Sequence, residues 1–134
     1  ATTEIYTLSL HDALPISVLI PEKDHYTLCL SSQVGCALAC TFCSTGQMGF
    51  KRNMLSHEIA AQILVAQDYL ARAATAQKKN TPGHLTNLVF MGMGEPLLNW
   101  KEVKDALQII NHPLGLNFSR RKTTLSTVGI KGVL

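Results

Sequence analysis

The sequence predicts an α/β domain of about three βα units with parallel strands, for three reasons. Segments 26–30, 85–91 and 122–127 are rich in the β-branched and aliphatic residues that favour buried strands. Two stretches with helical periodicity lie between them, and this alternation is typical of parallel strands joined by right-handed crossovers. Hydrophobic residues make up 46% of the 134 residues and charged residues 16%, a composition suited to one globular domain with a core.

The first unit begins with a strand at 26–30, where residues that favour strands alternate. A shorter strand at 18–20 precedes it, and the turn at 21–25 is expected to pair the two. Ser56 is a suitable N-cap for the next helix, which is expected to run to about Gln77. This helix should bury a stripe of apolar residues spaced three to four apart, namely Ile59, Ile63, Ala66 and Leu70.

The second unit starts with the strand at 85–91, which breaks at the glycine-rich sequence 92–96. Asn99 is expected to cap the second helix, with Glu102 completing a capping box. Pro113 should end this helix, since proline cannot continue it. The buried face of the helix is expected to contain Val103, Leu107 and Ile110.

Both ends of the chain suggest a piece of a larger domain. The sequence stops at Leu134, just after the third strand and where a third helix is expected. Residues 1–16 have no periodicity that joins them to the rest of the chain, and they resemble a translated sequencing adapter. We therefore expect a non-family tail at 1–16 and the N-terminal half of a truncated core domain at 17–134.

Charge and hydropathy narrow the range of partners. The net charge is +3, and three basic clusters lie at 51–52, 78–79 and 120–122. Such clusters either contact phosphate or belong to an ordinary solvated surface. No apolar run approaches the roughly 20 residues that cross a bilayer, so no membrane partner is expected. Cysteines in a reactive loop indicate a reducing, cytoplasmic location.

Cys36, Cys40 and Cys43 have the spacing C-x3-C-x2-C, with no fourth cysteine close behind. A four-iron cluster normally takes four thiolates, so three from one loop leave one iron free to bind a small molecule. That arrangement favours catalysis over electron relay. Two alternatives remain: a structural zinc site, in which His57 would be the fourth ligand, and unliganded thiols.

Other candidate residues lie where predicted strands end, the edge at which α/β sheets bind ligands. Gly94 permits close approach of a ligand, and Glu95 offers an anionic acceptor suited to an ammonium group. Ser126 lies in the same position after the third strand. Cys29 lies within the first strand, where it is either a small buried hydrophobe or a reactive thiol.

Longer motifs extend this pattern; they are found at 27–36, 43–46, 52–53, 91–99 and 124–127. They resemble the RlmN/Cfr family of radical S-adenosylmethionine (SAM) RNA adenine methyltransferases, from about Val18 to the last residue. The sequence Pro-Leu-Leu-Asn at 96–99 is more similar to the RlmN branch. That branch methylates carbon 2 of an adenosine in 23S rRNA and, in some bacteria, in tRNA, whereas the Cfr branch methylates carbon 8.

The resemblance implies a partial radical-SAM (β/α) barrel that binds a [4Fe-4S] cluster and SAM. Gly94 and Glu95 would contact the amino end of SAM, and Ser126 would help to hold the same ligand. The cluster ligands would be Cys36, Cys40 and Cys43.

In this family the methyl group passes through a methylated cysteine near the C-terminus before a carbon radical adds to the adenine. Cys29 matches the second functional cysteine, which helps to resolve the protein–RNA adduct. The expected partners are 23S rRNA, tRNA and an external electron donor. The methyl-carrying cysteine would lie beyond Leu134, so the chain alone is expected to be inactive. The rival from another class is a non-catalytic, zinc-binding RNA module.

Overall fold

The computed structural model describes residues 6–9, 15–34, 52–77, 84–91 and 94–132. The predicted cysteine loop and the predicted loop at 78–83 lie outside the described residues. Two helices are described, α1 (Ser56–Gln77) and α2 (Trp100–Asn111), with 3-10 turns at Pro96–Asn99 and Arg120–Lys122. The described strands are β1 (Tyr6–Ser9), β2 (Pro15–Pro21), β3 (Tyr26–Cys29), β4 (Gln33–Val34), β5 (Arg52–Asn53), β6 (Leu85–Phe90) and β7 (Thr123–Leu125).

Five strands form one mixed sheet in the order β1-β2-β3-β6-β7, and β4 pairs with β5 separately. β3, β6 and β7 run parallel, whereas β1, β2 and β3 are successively antiparallel. The predicted hairpin is confirmed, because Val18 lies opposite Cys29 and Pro21 opposite Tyr26. α1 joins β3 to β6 and α2 joins β6 to β7, as the alternating pattern predicts. The mixed sheet and its parallel βα units confirm the α/β class.

Both helices pack against the same face of the sheet. Inward residues of β3 and β6, such as Leu28 and Leu88, belong to one core cluster with Ile63 of α1 and Val103 of α2. The alternate residues of the same strands, Cys29 among them, are only partly buried. Strand side chains alternate between faces, so Cys29 lies on the face away from the two helices.

The predicted third strand is shorter in the structure than 122–127. Ser119 accepts a hydrogen bond from the Arg121 N–H and begins a 3-10 turn, so β7 starts only at Thr123. It ends at Leu125, because Thr127 turns away to hydrogen bond with Glu95. β7 is hydrogen-bonded to β6 alone among the described strands, so it lies at an edge of the described sheet.

The segment predicted as an unrelated tail contributes to the described sheet. β1 pairs with β2 in antiparallel register, with Tyr6 opposite Leu19, and β2 begins at Pro15. The boundary at residue 16 and the adapter origin stay predictions.

Both helix starts differ in chemistry from the prediction. Leu55, not Ser56, is the cap residue of α1, because the Leu55 carbonyl accepts the first helical hydrogen bond from Ile59. Asn99 is the N-cap residue of α2, as predicted, but its side chain makes no capping bond. Glu102 instead accepts a hydrogen bond from the Ser56 N–H, which joins the two helices. At α2, long-range partners thus replace the predicted side-chain caps, whereas at α1 a local bond is present, since the Leu55 N–H donates to the Glu58 carboxylate.

Candidate SAM and cluster site

The carboxyl ends of β3, β6 and β7 lie at one edge of the sheet, since these strands are parallel. The chain leaves that edge as three segments, 30–34, 94–96 and 126–128, all of which the structure describes. The sequence predicted that the candidate residues would meet there. Among the described residues, Gly94 and Glu95 follow β6 and Ser126 follows β7, so all three lie at this edge, and their roles as ligand-binding residues stay predictions.

The cysteines predicted to bind a cluster lie in residues 35–51, here named the cysteine segment, outside the described residues. Its two ends are nevertheless fixed, because β4 and β5 flank it as an antiparallel pair. Gln33 lies opposite Asn53 and Val34 opposite Arg52. Partners in such a pair are about 5 Å apart between Cα atoms. The segment with all three cysteines is thus closed at its base, at the edge where the parallel strands end.

Glu95 connects two of the strand ends. Its carboxylate is buried, with Oε1 accepting hydrogen bonds from the Thr127 hydroxyl at 2.7 Å and the Val128 N–H at 2.8 Å. Oε2 accepts from the Leu97 N–H at 2.7 Å. A carboxylate offers about four acceptor positions, so one remains for a donor outside the described residues. The role of Glu95 at the SAM amino group stays a prediction.

Gly94 adopts a positive φ of 95°, which L-residues rarely adopt. A Cβ atom at this position would lie 2.5 Å from the Cβ of Gln33 and 2.7 Å from its backbone nitrogen. Glycine therefore lets the turn of Gly94 and Glu95 pack directly against β4.

Gln33 is a buried side chain that connects this turn to the base of the cysteine segment. Its Oε1 accepts from the Glu95 N–H at 2.9 Å, and its Nε2 donates to Asn53 Oδ1 at 2.7 Å. The sequence motif contained Gln33, but sequence reasoning assigned it no role. The available signal was a long amide side chain between the strand at 26–30 and Cys36, within the sequence Ser-Ser-Gln-Val-Gly at 31–35.

Two further amides fix the segment between β3 and β4. Asn99 Nδ2 donates to the carbonyls of Ser32 and Met54, both at 2.8 Å. Gln62 of α1 accepts from the Ser31 N–H at 2.9 Å and donates to the Ser31 carbonyl at 2.8 Å. Buried backbone groups need such partners, so these side chains hold the approach to the cysteine segment in one conformation.

At the far end of that segment, Arg52 forms a bidentate ion pair with Glu58, with both N–O distances 2.8 Å. The Arg52 guanidinium lowers the pKa of Glu58 to about 2, and the Leu55 N–H, which donates to the same carboxylate, adds to the effect. β5 is thereby attached to the first turn of α1.

Cys29 lies at the end of β3, on the face away from the helices, and is partly buried. Burial raises the pKa of its thiol, because desolvation disfavours the thiolate. The thiol is therefore protonated near neutral pH, a state in which it can give up a proton but is a weak nucleophile.

Of the predicted basic clusters, the structure describes Arg52 and residues 120–122. Arg52 is paired with Glu58, and residues 78–79 lie outside the described residues. Arg120, Arg121 and Lys122 are exposed but precede β7, at the opposite edge of the sheet from Glu95. No helix in the described part of the chain is long and apolar enough to cross a bilayer.

A model of the radical SAM superfamily matches residues 30–132, more than half of the chain. The chain belongs to the radical SAM superfamily. It is similar to the protein named "Dual-specificity RNA methyltransferase RlmN" from Solidesulfovibrio magneticus, with 51% identity over 126 residues covering 93% of this chain. The protein of the same name from Vesicomyosocius okutanii is 53% identical over 113 residues covering 84% of the chain. The resemblance to the RlmN/Cfr family is thus confirmed.

A solved radical SAM methyltransferase from Sphaerobacter thermophilus matches the fold with a TM-score of 0.76 and 39% identity. The match covers 96% of this chain and 36% of that structure. The chain spans about a third of the length of the curated relatives, 34% of the first and 30% of the second.

Membership of this superfamily implies a [4Fe-4S] cluster and SAM as cofactors, and makes this an enzyme family. The sequence of the cysteine segment and the chemistry of the described residues around it fit both groups. Three thiols belong to a segment whose base is closed by β4 and β5. Beside it are a glycine without a Cβ, a carboxylate with an acceptor position left and the exposed Ser126.

Proposed function

We propose that this chain is part of an enzyme that methylates carbon 2 of adenosine in 23S rRNA and tRNA through a methyl-cysteine intermediate. The observation that supports this most is the link between Gln33, Glu95 and Thr127, which joins three strand ends beside the cysteine segment. The named relatives support an RNA substrate, since they are RNA methyltransferases.

The parent fold in this proposal is a (β/α) barrel, of which the chain forms part. Both described helices cover one face of the sheet, as in a barrel, whereas doubly wound sheets have helices on both faces. The uncovered face, which includes Cys29, would then face the barrel interior.

Each predicted residue has a role in this proposal. Cys36, Cys40 and Cys43 would hold the cluster. When bound, the cluster supplies an electron to SAM, and SAM supplies the methyl group and the radical chemistry that an unactivated adenine carbon requires. Other ligand contacts would come from Gly94, Glu95 and Ser126.

Cys29 would act on the RNA substrate rather than bind a cofactor. It lies on the uncovered face at the carboxyl end of β3, and its raised pKa keeps the thiol protonated until it is needed. In our proposal it helps to release the modified RNA from the covalent adduct.

The RNA would bind at the edge of the sheet where β3, β6 and β7 end. Its target adenine would first have to leave the base stack to enter the site. The exposed Arg120–Lys122 cluster, at the other edge, would contact only a more distant part of the RNA backbone. Such contacts make binding weaken as salt rises. The electron donor would be a separate protein, and the enzyme would act in the cytoplasm.

A chimera tests this function. The matching third of the Solidesulfovibrio magneticus RlmN is replaced by this chain, and RNA nucleosides are analysed by mass spectrometry after anaerobic reaction with SAM. We expect 2-methyladenosine, and none from the matched Cys40→Ala chimera. 8-Methyladenosine would move the assignment to the Cfr branch, and an inactive chimera with a complete cluster would contradict the proposal.

A measurement made before the chimera test distinguishes a bound iron–sulfur cluster from a bound zinc ion. The chain is reconstituted anaerobically with iron and sulfide, beside the Cys40→Ala variant. We expect a brown chromophore that the variant loses and whose electron paramagnetic resonance signal changes when SAM is added. A colourless protein that retains zinc would contradict the cluster assignment.

A further inference from the structure

We propose that Gln33, oriented by Asn53, is a positioning residue that couples the base of the cysteine segment to the turn of Gly94 and Glu95. The inference rests on the proposed role of that turn in binding SAM. It adds a residue pair to which sequence reasoning gave no function.

Two hydrogen bonds connect Asn53 to Glu95 through the Gln33 side chain, and they fix the orientation of the Gln33 amide. Asn53 is exposed and accepts from Gln33 Nε2 at 2.7 Å, while Gln33 Oε1 accepts from the Glu95 N–H at 2.9 Å. An amide has one donor side and one acceptor side. By binding the donor side, Asn53 keeps the acceptor side of Gln33 towards Glu95.

Close packing leaves Gln33 little freedom to move relative to Gly94 and Glu95. Gln33 is 2% exposed, and Gly94 approaches it so closely that a Cβ would overlap with its backbone. Since β4 pairs with β5, a displacement of the segment's base moves Gln33 as well. The position of the Glu95 backbone, and of its carboxylate bonds to Thr127 and Val128, therefore depends on the base of the cysteine segment.

The test uses two substitutions at Asn53, which is exposed and should not prevent folding. Asn53→Ala removes the acceptor that orients Gln33, whereas Asn53→Asp keeps an oxygen in the same place. Arg52→Ala is the matched control: it removes another side chain of β5 and its ion pair with Glu58, but it leaves the backbone pairing of β4 with β5 and the Asn53 side chain in place.

Two readouts are compared on the whole chain. In the protein without cluster, amide hydrogen exchange at Glu95 should be about five- to tenfold faster in Asn53→Ala than in wild type. This factor corresponds to the net free energy that one hydrogen bond contributes. In the reconstituted protein, the dissociation constant for SAM should rise by a similar factor at unchanged iron content. Asn53→Asp and Arg52→Ala should stay within about twofold of wild type in both.

Equal Glu95 exchange in wild type and Asn53→Ala would overturn the proposal, as would an equal effect of Arg52→Ala. If the wild-type chain fails to bind SAM, the proposed function is contradicted, and the exchange experiment still decides whether the link exists. A normal SAM affinity in Asn53→Ala, despite faster exchange at Glu95, would refute the coupling.

Discussion

At the scale of single residues, the site depends on side chains that are held in place by several hydrogen bonds within the protein. Glu95 is an example: its carboxylate makes three hydrogen bonds to described residues while its N–H bonds to Gln33. Such a buried carboxylate is held in one orientation before any ligand arrives. Preorganised groups of this kind bind charge without the cost of rearrangement.

Gly94→Ala should destabilise the protein more than Gly129→Ala. Both glycines have positive φ, 95° and 84°, so both substitutions strain the backbone. Only at Gly94 would the new Cβ also meet Gln33, whereas nothing lies within 4 Å at Gly129. We expect about 1 kcal/mol for Gly129→Ala and about 2–4 kcal/mol for Gly94→Ala, measured by urea unfolding. If both substitutions reduced the free energy of unfolding equally, the turn at Gly94 would be able to move away from Gln33 without loss of stability, which would contradict this prediction.

The Cys29 thiol should react slowly with iodoacetamide, and its pH–rate curve should have a midpoint above that of the unfolded chain. Burial raises the pKa of this thiol, and only the thiolate reacts. The measurement uses a variant with Cys36, Cys40 and Cys43 changed to serine, so that one thiol remains of four. The same variant in denaturant is the control, and identical midpoints in the two states would refute the expectation.

At the scale of elements, the sequence predicted which helices and strands exist and in what order they follow one another. It predicted the residues at which they begin and end less well. α1 runs from Ser56 to Gln77 and β6 from Leu85 to Phe90, nearly as the periodicity indicates. Apolar spacing determines such elements, because burial against a sheet rewards it.

The predicted capping bonds of α2 were wrong, because the side chains of Asn99 and Glu102 bind long-range partners instead. Asn99 donates to carbonyls 67 and 45 residues away, and Glu102 accepts from an N–H 46 residues away. Sequence propensities describe neighbours within a few residues, so they cannot anticipate such bonds. The same holds for Gln33 and Glu95, which are 62 residues apart.

Glu58→Gln should reduce stability by about 0.5–1 kcal/mol at pH 7, because Arg52 is nearly half exposed and solvent screens the pair. The folded carboxyl has a pKa of about 2 against an ordinary 4.5, so its contribution is complete above about pH 4.5 and is lost as the pH falls towards 2. Urea unfolding at several pH values should show the two proteins converging over that window.

The matched control for this ion pair is Asp68→Asn, which breaks the exposed pair with Arg72 on α1. Exposed pairs of this kind contribute little, so we expect a loss of at most a few tenths of a kcal/mol at pH 7. A loss from Glu58→Gln no larger than from this control would show that β5 is not stabilised through α1.

At the scale of the whole molecule, the described core joins the sheet to both helices. The core lies between the sheet and two helices, with members from β2, β3, β6, α1 and α2. The polar links at Gln33, Gln62 and Asn99 fix the approach to the segment using protein atoms alone. We therefore expect the frame that carries the site at the strand ends to form without a bound group.

Replacing Cys36, Cys40 and Cys43 together with serine should therefore leave a folded protein. Burial of the described core supplies the main stabilisation, and serine is close to cysteine in size, so the helical circular dichroism and a cooperative urea transition should persist. Wild type reconstituted with the cluster should unfold at higher urea than this variant, since a ligand of the native state adds its binding free energy. If the variant instead loses its cooperative transition, the cluster is part of the folding nucleus and the frame does not form without it.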